Sequence, residues 1–464
     1  MSAHRPTSIL LLNPPGRRRF LRDYYCSTVS KAGYLWHPID LLIQSGYLGR
    51  LGSLSLVDAI ADNLSPRQTM ERVHSWRPEV VLALVGAQSL EADLAFLRGV
   101  ARTGDTRIVI SGEPAITEHE ALLSSAPWIN GVLQNFATPE LEAWIRDGAP
   151  PQPQVVLGAR GFRRSAAAQD RDGAPAPALS FPLPRHSLFL SRRYRVPLVA
   201  GGLFASVLST FGCPFRCSYC NSGVDGIGFG LRDLDELMEE IRLLGRLPGV
   251  RHLFFRDMNF TTPRRRALEI CELMLREGCS FSWNCYSRPD TLDQELCAAM
   301  ARAGCRLVQV GIETFDEGVL SANQRKMRAE RIPEAFRLIR QSGMRSGAHF
   351  VLGLPGDTLE SMTATVDQAI RLNPDYVSFN LLQHRYGATL EPGRGPAGID
   401  PSQLAHLKRS ALRRYYLRPG YALSMLGRIR SPAEILSLIE SGIGLAWATI
   451  SGEASHEGST KESS

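Results

Sequence analysis

Phe211-Gly212-Cys213-Pro214-Phe215-Arg216-Cys217-Ser218-Tyr219-Cys220-Asn221-Ser222-Gly223 places three cysteines at C-x3-C-x2-C spacing on one short stretch. Three thiolates on a single loop can hold three irons of a 4Fe-4S cluster, which takes four cysteines when fully ligated. The fourth iron is then left open, the logic of a catalytic metal site with a free position. Structural zinc is the competing reading. It wants four ligands, usually as paired C-x2-C, and no matching pair stands elsewhere in the chain. Ferredoxin spacing, C-x2-C-x2-C-x3-C, is not matched either.

The stretch follows the first strand of a strand–helix series. Apolar runs predict strands over Leu203–Thr210, Leu253–Arg256, Ser280–Tyr286, Leu307–Ile312, His349–Leu354 and Tyr376–Leu382. Helical periodicity falls between them at Asp233–Gly245, Arg264–Glu277, Gln294–Ala303, Arg331–Ser342 and Leu359–Leu372. Six such units predict a parallel partial or full barrel whose chemistry sits at the strand carboxyl ends. Those ends carry Asp257 and Asn259, Arg288 and Asp290, Gly311 and Glu313, and Gly353 with Pro355. An Arg288–Glu313 ion pair and a plain turn at Gly353–Gly356 are the structural alternatives. His349 reads as a packed core histidine.

Upstream lies a second series. Strands are expected at Ser8–Leu12, Leu54–Val57, Val80–Val85, Arg107–Ile110 and Gly131–Leu133, and helices at Pro38–Leu51, Pro66–Trp76, Ser89–Arg102, Ala115–Ser124 and Pro139–Arg146. This alternation predicts a doubly wound parallel sheet that binds ligands beyond its carboxyl ends. Asn13-Pro14-Pro15-Gly16, Asp58, Gly86 and Gly112 lie there. The loop Arg22–Pro38 is long and rich in aromatic residues, as functional loops tend to be. Residues 148–194 are rich in Ala and Pro and read as a linker with one short hairpin at Val155–Phe162.

At the cysteine stretch the chain resembles the radical SAM superfamily, and Tyr219 just before the last cysteine fits as well. The resemblance implies that Cys213, Cys217 and Cys220 bind the 4Fe-4S cluster. The open iron would chelate S-adenosyl-L-methionine, whose one-electron cleavage yields a 5′-deoxyadenosyl radical. It further implies cofactor contacts from Tyr219, Asp257, Asn259, Arg288, Gly311, Glu313, Gly353 and Pro355. A flavodoxin-like domain ahead of such a barrel is similar to the cobalamin-binding class, implying cobalamin contacts from Asn13, Pro14, Pro15, Asp58 and Gly112. The chain departs from that class in three places. It has no D-x-H-x-x-G, Ser111-Gly112-Glu113 replaces a double glycine, and Gln134-Asn135-Phe136 replaces Gly-Glu-Gly.

The expected architecture is therefore α/β. A cobalamin-binding flavodoxin/Rossmann-like domain (1–147) is followed by the linker, a partial (β/α)6 radical SAM barrel (195–395), a helical C-terminal region (396–451) and a polar tail (452–464). The class implies methylation of an unactivated carbon, with radical ring closure, ring contraction or carbon–carbon coupling as alternatives on the same motifs. A cobalamin-binding regulator is the non-enzymatic alternative. The Arg22–Pro38 loop is expected beside the corrin or the substrate.

Composition sets the remaining bounds. At 464 residues, 44% hydrophobic and 21% charged, the chain is of ordinary globular make-up. Its net charge of +7 is spread along the sequence, so nucleic acid is not an expected partner. Nine cysteines, an odd number, point to a reducing compartment. Together with an oxygen-sensitive cluster and no recognisable export signal, this makes a cytoplasmic setting the expectation. The implied partners are a small-molecule or lipid-like substrate and a low-potential electron donor such as flavodoxin or ferredoxin. The basic, aromatic stretch Leu407–Pro419 and the apolar residues to Ile450 allow peripheral membrane contact, although a helix packed on the barrel is the commoner outcome.

Overall fold

Alternate residues of the first strand feed two different cores. In β1 (Thr7–Asn13), Ile9 and Leu11 join one apolar cluster and Leu10 and Leu12 the other, all fully buried. A strand enclosed on both faces is the signature of a parallel sheet wrapped by helices. The computed structural model describes residues 7–421 except 26, 31–32, 149–153, 159–163, 170–174, 197–201, 222–227, 384, 387, 392, 394 and 397. The part of the expected helical C-terminal region from 422 to 451, the polar tail and Cys26 lie outside the described residues.

β1 is flanked by β2 (Gly52–Asp58) and β3 (Val80–Leu84), and the sheet continues through β4 (Arg107–Ser111), β5 (Gly131–Leu133) and β6 (Val155–Leu157). The spatial order is β2-β1-β3-β4-β5-β6 and every pair is parallel. This is the flavodoxin-like order, with its switch point between β1 and β3. The predicted hairpin at Val155 is instead this sixth strand. Gly131 pairs with Val155, and Leu157 is buried against the sheet's core.

The second sheet runs in sequence order: β7 (Leu203–Val207), β8 (Val250–Phe255), β9 (Ser282–Ser287), β10 (Cys305–Glu313), β11 (Arg345–Leu352) and β12 (Tyr376–Leu381), all parallel. Val308, Val310, Ile312, Ala348, Phe350 and Phe379 face its helices in one continuous core. The expected strand Leu203–Thr210 is broken. Thr210–Phe211 leaves the barrel and pairs antiparallel with Gly230–Arg232, which also pairs with Pro175–Leu179. Backbone at Ser209 and Thr210 turns toward a buried carboxylate, described below, and cannot continue the ladder.

The stretch read as a linker thus supplies two strands to a small four-stranded sheet. It is also tied down by buried charge. His186 Nε2 lies 2.6 Å from Glu240 Oε1, and Arg232 pairs with the other carboxylate oxygen. Helix Pro401–Tyr416 packs on the edge strand. Tyr416 Oη takes the Val377 amide proton at 2.9 Å and donates to the Val377 carbonyl at 2.6 Å. Among the described residues, no helix is long and apolar enough to cross a membrane.

Candidate active site between the two sheets

The cysteine loop begins at a backbone position that favours glycine. Gly212 has φ +72°, and a Cβ there would collide with the Gly228 carbonyl. The turn just before the loop is held by Asp257, which is fully buried at the carboxyl end of β8. Its Oδ1 accepts from Ser209 N at 2.9 Å, Ser209 Oγ at 3.0 Å and Thr210 Oγ1 at 2.7 Å, and also from Thr210 N. Its Oδ2 has no partner among the described residues. Asn259 is satisfied locally by Thr261 and Thr262.

Downstream, Asn323 stitches the loop to the end of β11. Its carbonyl accepts from Ser218 N at 3.1 Å, and its amide donates to the Pro355 carbonyl at 2.9 Å. Gly353 and Leu354 donate their amide protons to Asp357 Oδ2.

Two guanidinium groups approach the thiol of Cys217. Arg288 Nη1 is 3.7 Å and Arg325 Nη1 3.8 Å from its sulfur. Arg288 stacks over the Phe215 ring at 3.8 Å and forms a two-pronged pair with Asp290. Arg325 donates to Tyr219 Oη at 2.9 Å and to the Gly311 carbonyl, and lies 3.4 Å from Glu313 Oε1. The suggested Arg288–Glu313 pair is thus divided between two other partners, Asp290 and Arg325. Glu313 occupies the left-handed region at φ +70°, strained backbone of the kind that gathers at functional sites. Burial raises its carboxyl pKa, and Arg325 followed by Arg288 opposes that. Arg325 was not singled out from sequence. It lies beyond a helix from the strand end it serves, and nothing in its spacing distinguishes it from other surface-type arginines.

Among the described residues, no three His, Cys, Asp or Glu side chains converge on a single-ion position. A cubane asks for no such point, since each thiolate takes its own iron. The donor set fits that group: three cysteines on one loop, half-buried to buried, with two arginines beside the middle sulfur to offset thiolate charge.

At the carboxyl edge of the first sheet, Arg22 fills the switch point. It is enclosed with Asp93 in a buried ion pair of 2.7 Å. It also donates to Asn13 Oδ1 at 3.0 Å and to the carbonyls of Pro14 and Pro15 at 2.8 and 3.4 Å. Asn13 donates to Asp58 Oδ1 at 2.9 Å, and Asp58 Oδ2 accepts from Tyr194 Oη at 2.7 Å. Gly112 lies against the Val85 carbonyl, which leaves no space for a side chain. Asn135 Nδ2, at the end of β5, is a fully buried donor with no partner among the described residues, as a site for an added polar group would leave it.

The Arg22–Pro38 loop lies between the two sheets. Tyr25 Oη accepts from Gly212 N at 3.2 Å, Asn221 donates to the Tyr24 carbonyl at 3.0 Å, and both tyrosine rings pack on Phe211. Arg256, next to Asp257, pairs with Asp23 at 2.8 Å and lies over Trp36. Arg385 crosses in the other direction to reach the buried Glu113 at 3.1 Å.

Asp40 sits in this seam, accepting from Tyr24 N at 2.9 Å and Ser111 Oγ at 2.8 Å. Burial, with Asp23 adding to it, pushes its pKa from 3.8 up to about 7. A carboxyl whose pKa is raised on folding costs stability once it ionises. The cost is absent below about pH 4, grows between pH 4 and 7, and is complete above. At roughly 1.4 kcal/mol per pH unit its ceiling is about 4 kcal/mol. Asp40→Asn is therefore expected to raise Tm relative to the parent at pH 8 and to leave little difference at pH 4. A difference in Tm that stays flat from pH 4 to 8 by scanning calorimetry would contradict this.

Residues 207–369 match the profile of the radical SAM superfamily. Over 442 residues the chain is 23% identical to an uncharacterised methyltransferase of Pyrococcus horikoshii, covering 89% of this chain and 93% of that protein. It is 24% identical over 378 residues to the anaerobic magnesium-protoporphyrin IX monomethyl ester cyclase of Rubrivivax gelatinosus, covering 78% and 66% of the two chains. Its fold is similar to that of the radical S-adenosylmethionine methyltransferase TsrM from Kitasatospora setae, a structure with cobalamin and a [4Fe-4S] cluster bound. The TM-score is 0.58 at 20% identity, over 82% of this chain and 74% of that one.

Proposed function

We propose that this chain, which carries a radical SAM domain over residues 207–369, is a methyltransferase-like enzyme of the cobalamin-dependent plan that methylates an unactivated carbon of a small-molecule substrate. In this reading Cys213, Cys217 and Cys220 hold a 4Fe-4S cluster. S-adenosyl-L-methionine would be held at the carboxyl ends of the second sheet by Tyr219, Asp257, Asn259, Arg288, Gly311, Glu313, Gly353 and Pro355. Asn13–Pro15, Asp58 and Gly112, at the carboxyl edge of the first sheet, would hold cobalamin, with Asn135 Nδ2 as an added donor. When bound, these groups supply one-electron cleavage of a sulfonium and a methyl carrier.

The observation that carries the reading is the direct attachment of the cysteine loop to the first domain, through Tyr25 to Gly212 and Asn221 to Tyr24. It makes the carboxyl edges of the two sheets neighbours, as a reaction shared between two cofactors requires. The chain's own residues orient and shield. Asp257 fixes the approach to Cys213, Arg288 and Arg325 offset negative charge at Cys217, and Tyr24, Tyr25, Phe136 and Phe211 form a dry aromatic seam. A low-potential donor such as flavodoxin or ferredoxin would deliver the electron.

The resemblance to the ester cyclase favours a second reading, radical ring closure on the same machinery. The two differ in what they release. Anaerobically reconstituted protein with reductant is expected to form 5′-deoxyadenosine in either case, and S-adenosylhomocysteine only if it transfers methyl. Cys217→Ala is expected to form neither. Wild-type protein that carries its iron and still forms no 5′-deoxyadenosine would refute both readings.

A further inference from the structure

The inward-facing side chains of the second sheet differ in burial from one side of the barrel to the other. Phe204, Ser206 and Phe254 on β7 and β8, and Arg256 just past the end of β8, are buried, because the first domain's loop lies on them. His37 Nδ1 is 3.1 Å from Ser206 Oγ, and the Trp36 ring meets Phe254 edge-on at 6.3 Å. On β9, β11 and β12, Tyr286, His349, Tyr376, Ser378 and Asn380 are only half-buried, while the residues between them are enclosed. Strand register puts Tyr286 opposite Gln309, Gln309 opposite Gly347, and Gly347 opposite Tyr376. His349 stands one layer nearer the carboxyl ends, opposite Gly311 and Ser378. Among the described residues, the barrel interior therefore stays reachable just below the Gly311–Glu313 corner.

That wall is built from rings and hydrogen-bonding groups. A Cβ at Gly347 would lie 2.5 Å from the Tyr376 ring, so the bare glycine lets the ring cross β11 and its hydroxyl donate to Gln309 Oε1 on β10. His349 Nδ1 is 2.7 Å from Ser378 Oγ, and its Nε2 is 3.4 Å from Tyr376 Oη. Ring centroids run Tyr286 to His349 at 6.2 Å and His349 to Tyr376 at 5.7 Å, both edge to face. Gln309 Nε2, 3% exposed, is a donor with no partner among the described residues.

We propose that the Tyr286–His349–Tyr376 wall binds the substrate, and that the substrate carries a flat unsaturated ring with a hydrogen-bond acceptor on its edge. A planar π surface gains ring contacts beyond its buried area, which a saturated skeleton does not. A purely hydrocarbon ligand would leave the buried Gln309 Nε2 donor unpaired, whereas an acceptor on the ring's edge would satisfy it. The inference rests on the radical SAM reading for calling the ligand a substrate; the preference itself is a property of the wall.

Equilibrium dialysis of the reconstituted protein with 2-naphthoate and its fully saturated decalin counterpart tests it, since the pair shares size and carboxylate. The aromatic probe is expected to bind about tenfold more tightly. That preference should shrink in His349→Leu and Tyr376→Leu, and in Gly347→Ala, where the ring is displaced. Equal affinities in the parent protein, or a preference that survives all three substitutions, would overturn the proposal. Parallel assay of 5′-deoxyadenosine on the parent protein judges the radical SAM reading separately, so the two failures are told apart.

Discussion

Replacing Asp257 by alanine is expected to cost the protein its iron and much of its stability together. Four donors from Ser209 and Thr210 converge on one oxygen of this buried carboxylate, three residues before the first cysteine. Each buried donor left without an acceptor costs about 1–3 kcal/mol. Relaxation and an entering water recover part of that, so a loss of ~3–5 kcal/mol is expected, against a total of roughly 5–15 kcal/mol for a folded domain. The turn that presents Cys213 would then no longer be fixed, and iron per chain after reconstitution should fall to near the level of a cysteine-to-alanine variant. Asp257→Asn keeps an acceptor at the same place and is expected to retain most of the iron. If Asp257 also touches S-adenosyl-L-methionine through its unpartnered Oδ2, the asparagine variant should keep iron and lose cosubstrate affinity. An alanine variant with normal iron and an unchanged melting curve would show that the carboxylate does not hold the loop.

What was legible in the sequence was local. Apolar runs at Leu10–Leu12 and Val80–Leu84 mark buried strands because parallel strands between helices have no polar face to show. The three cysteines are legible because their chemistry needs them close in sequence on one loop. Partner choice across long separations was not legible. Arg22 with Asp93, Arg256 with Asp23, and Arg325 with Glu313 are ordinary charged residues until the fold brings them together. The same limit explains the broken strand at Ser209. Its apolar run predicts continuity, and only the distant Asp257 supplies the four bonds that bend it. Asn13 and Asp58 lie at strand ends, as expected of residues facing a ligand, yet they spend hydrogen bonds on each other, Arg22 and Tyr194. Strand-end position identifies candidates for a ligand's surroundings, and hydrogen-bond accounting then separates residues that hold the rim from groups such as Asn135 Nδ2 that remain to be paired.

Arg325 is where that accounting predicts the other large effect. One guanidinium bonds Tyr219, the Gly311 carbonyl and the strained Glu313, and reaches toward Cys217. Arg325→Met leaves the buried Glu313 without its nearest cation, a change that costs ~3–5 kcal/mol when the carboxylate is ionised. The deficit should therefore be larger at pH 8 than at pH 5, because a carboxyl whose folded-state pKa is raised is penalised only as it loses its proton. All three cysteines remain, so iron should load. Affinity for S-adenosyl-L-methionine, and with it 5′-deoxyadenosine formation, should fall by about 100-fold, the scale of one or two hydrogen bonds to charged groups. Lysine is not expected to rescue it, since an ammonium cannot reach three partners in a fixed planar fork. Adding Glu313→Gln to Arg325→Met should recover the lost stability without the lost affinity, because removing the stranded charge repairs the fold and restores nothing at the cofactor. If the double variant regains both, Arg325 serves only to neutralise Glu313. If the single variant keeps normal affinity, the Tyr219–Arg325–Glu313 corner lies outside the cofactor site.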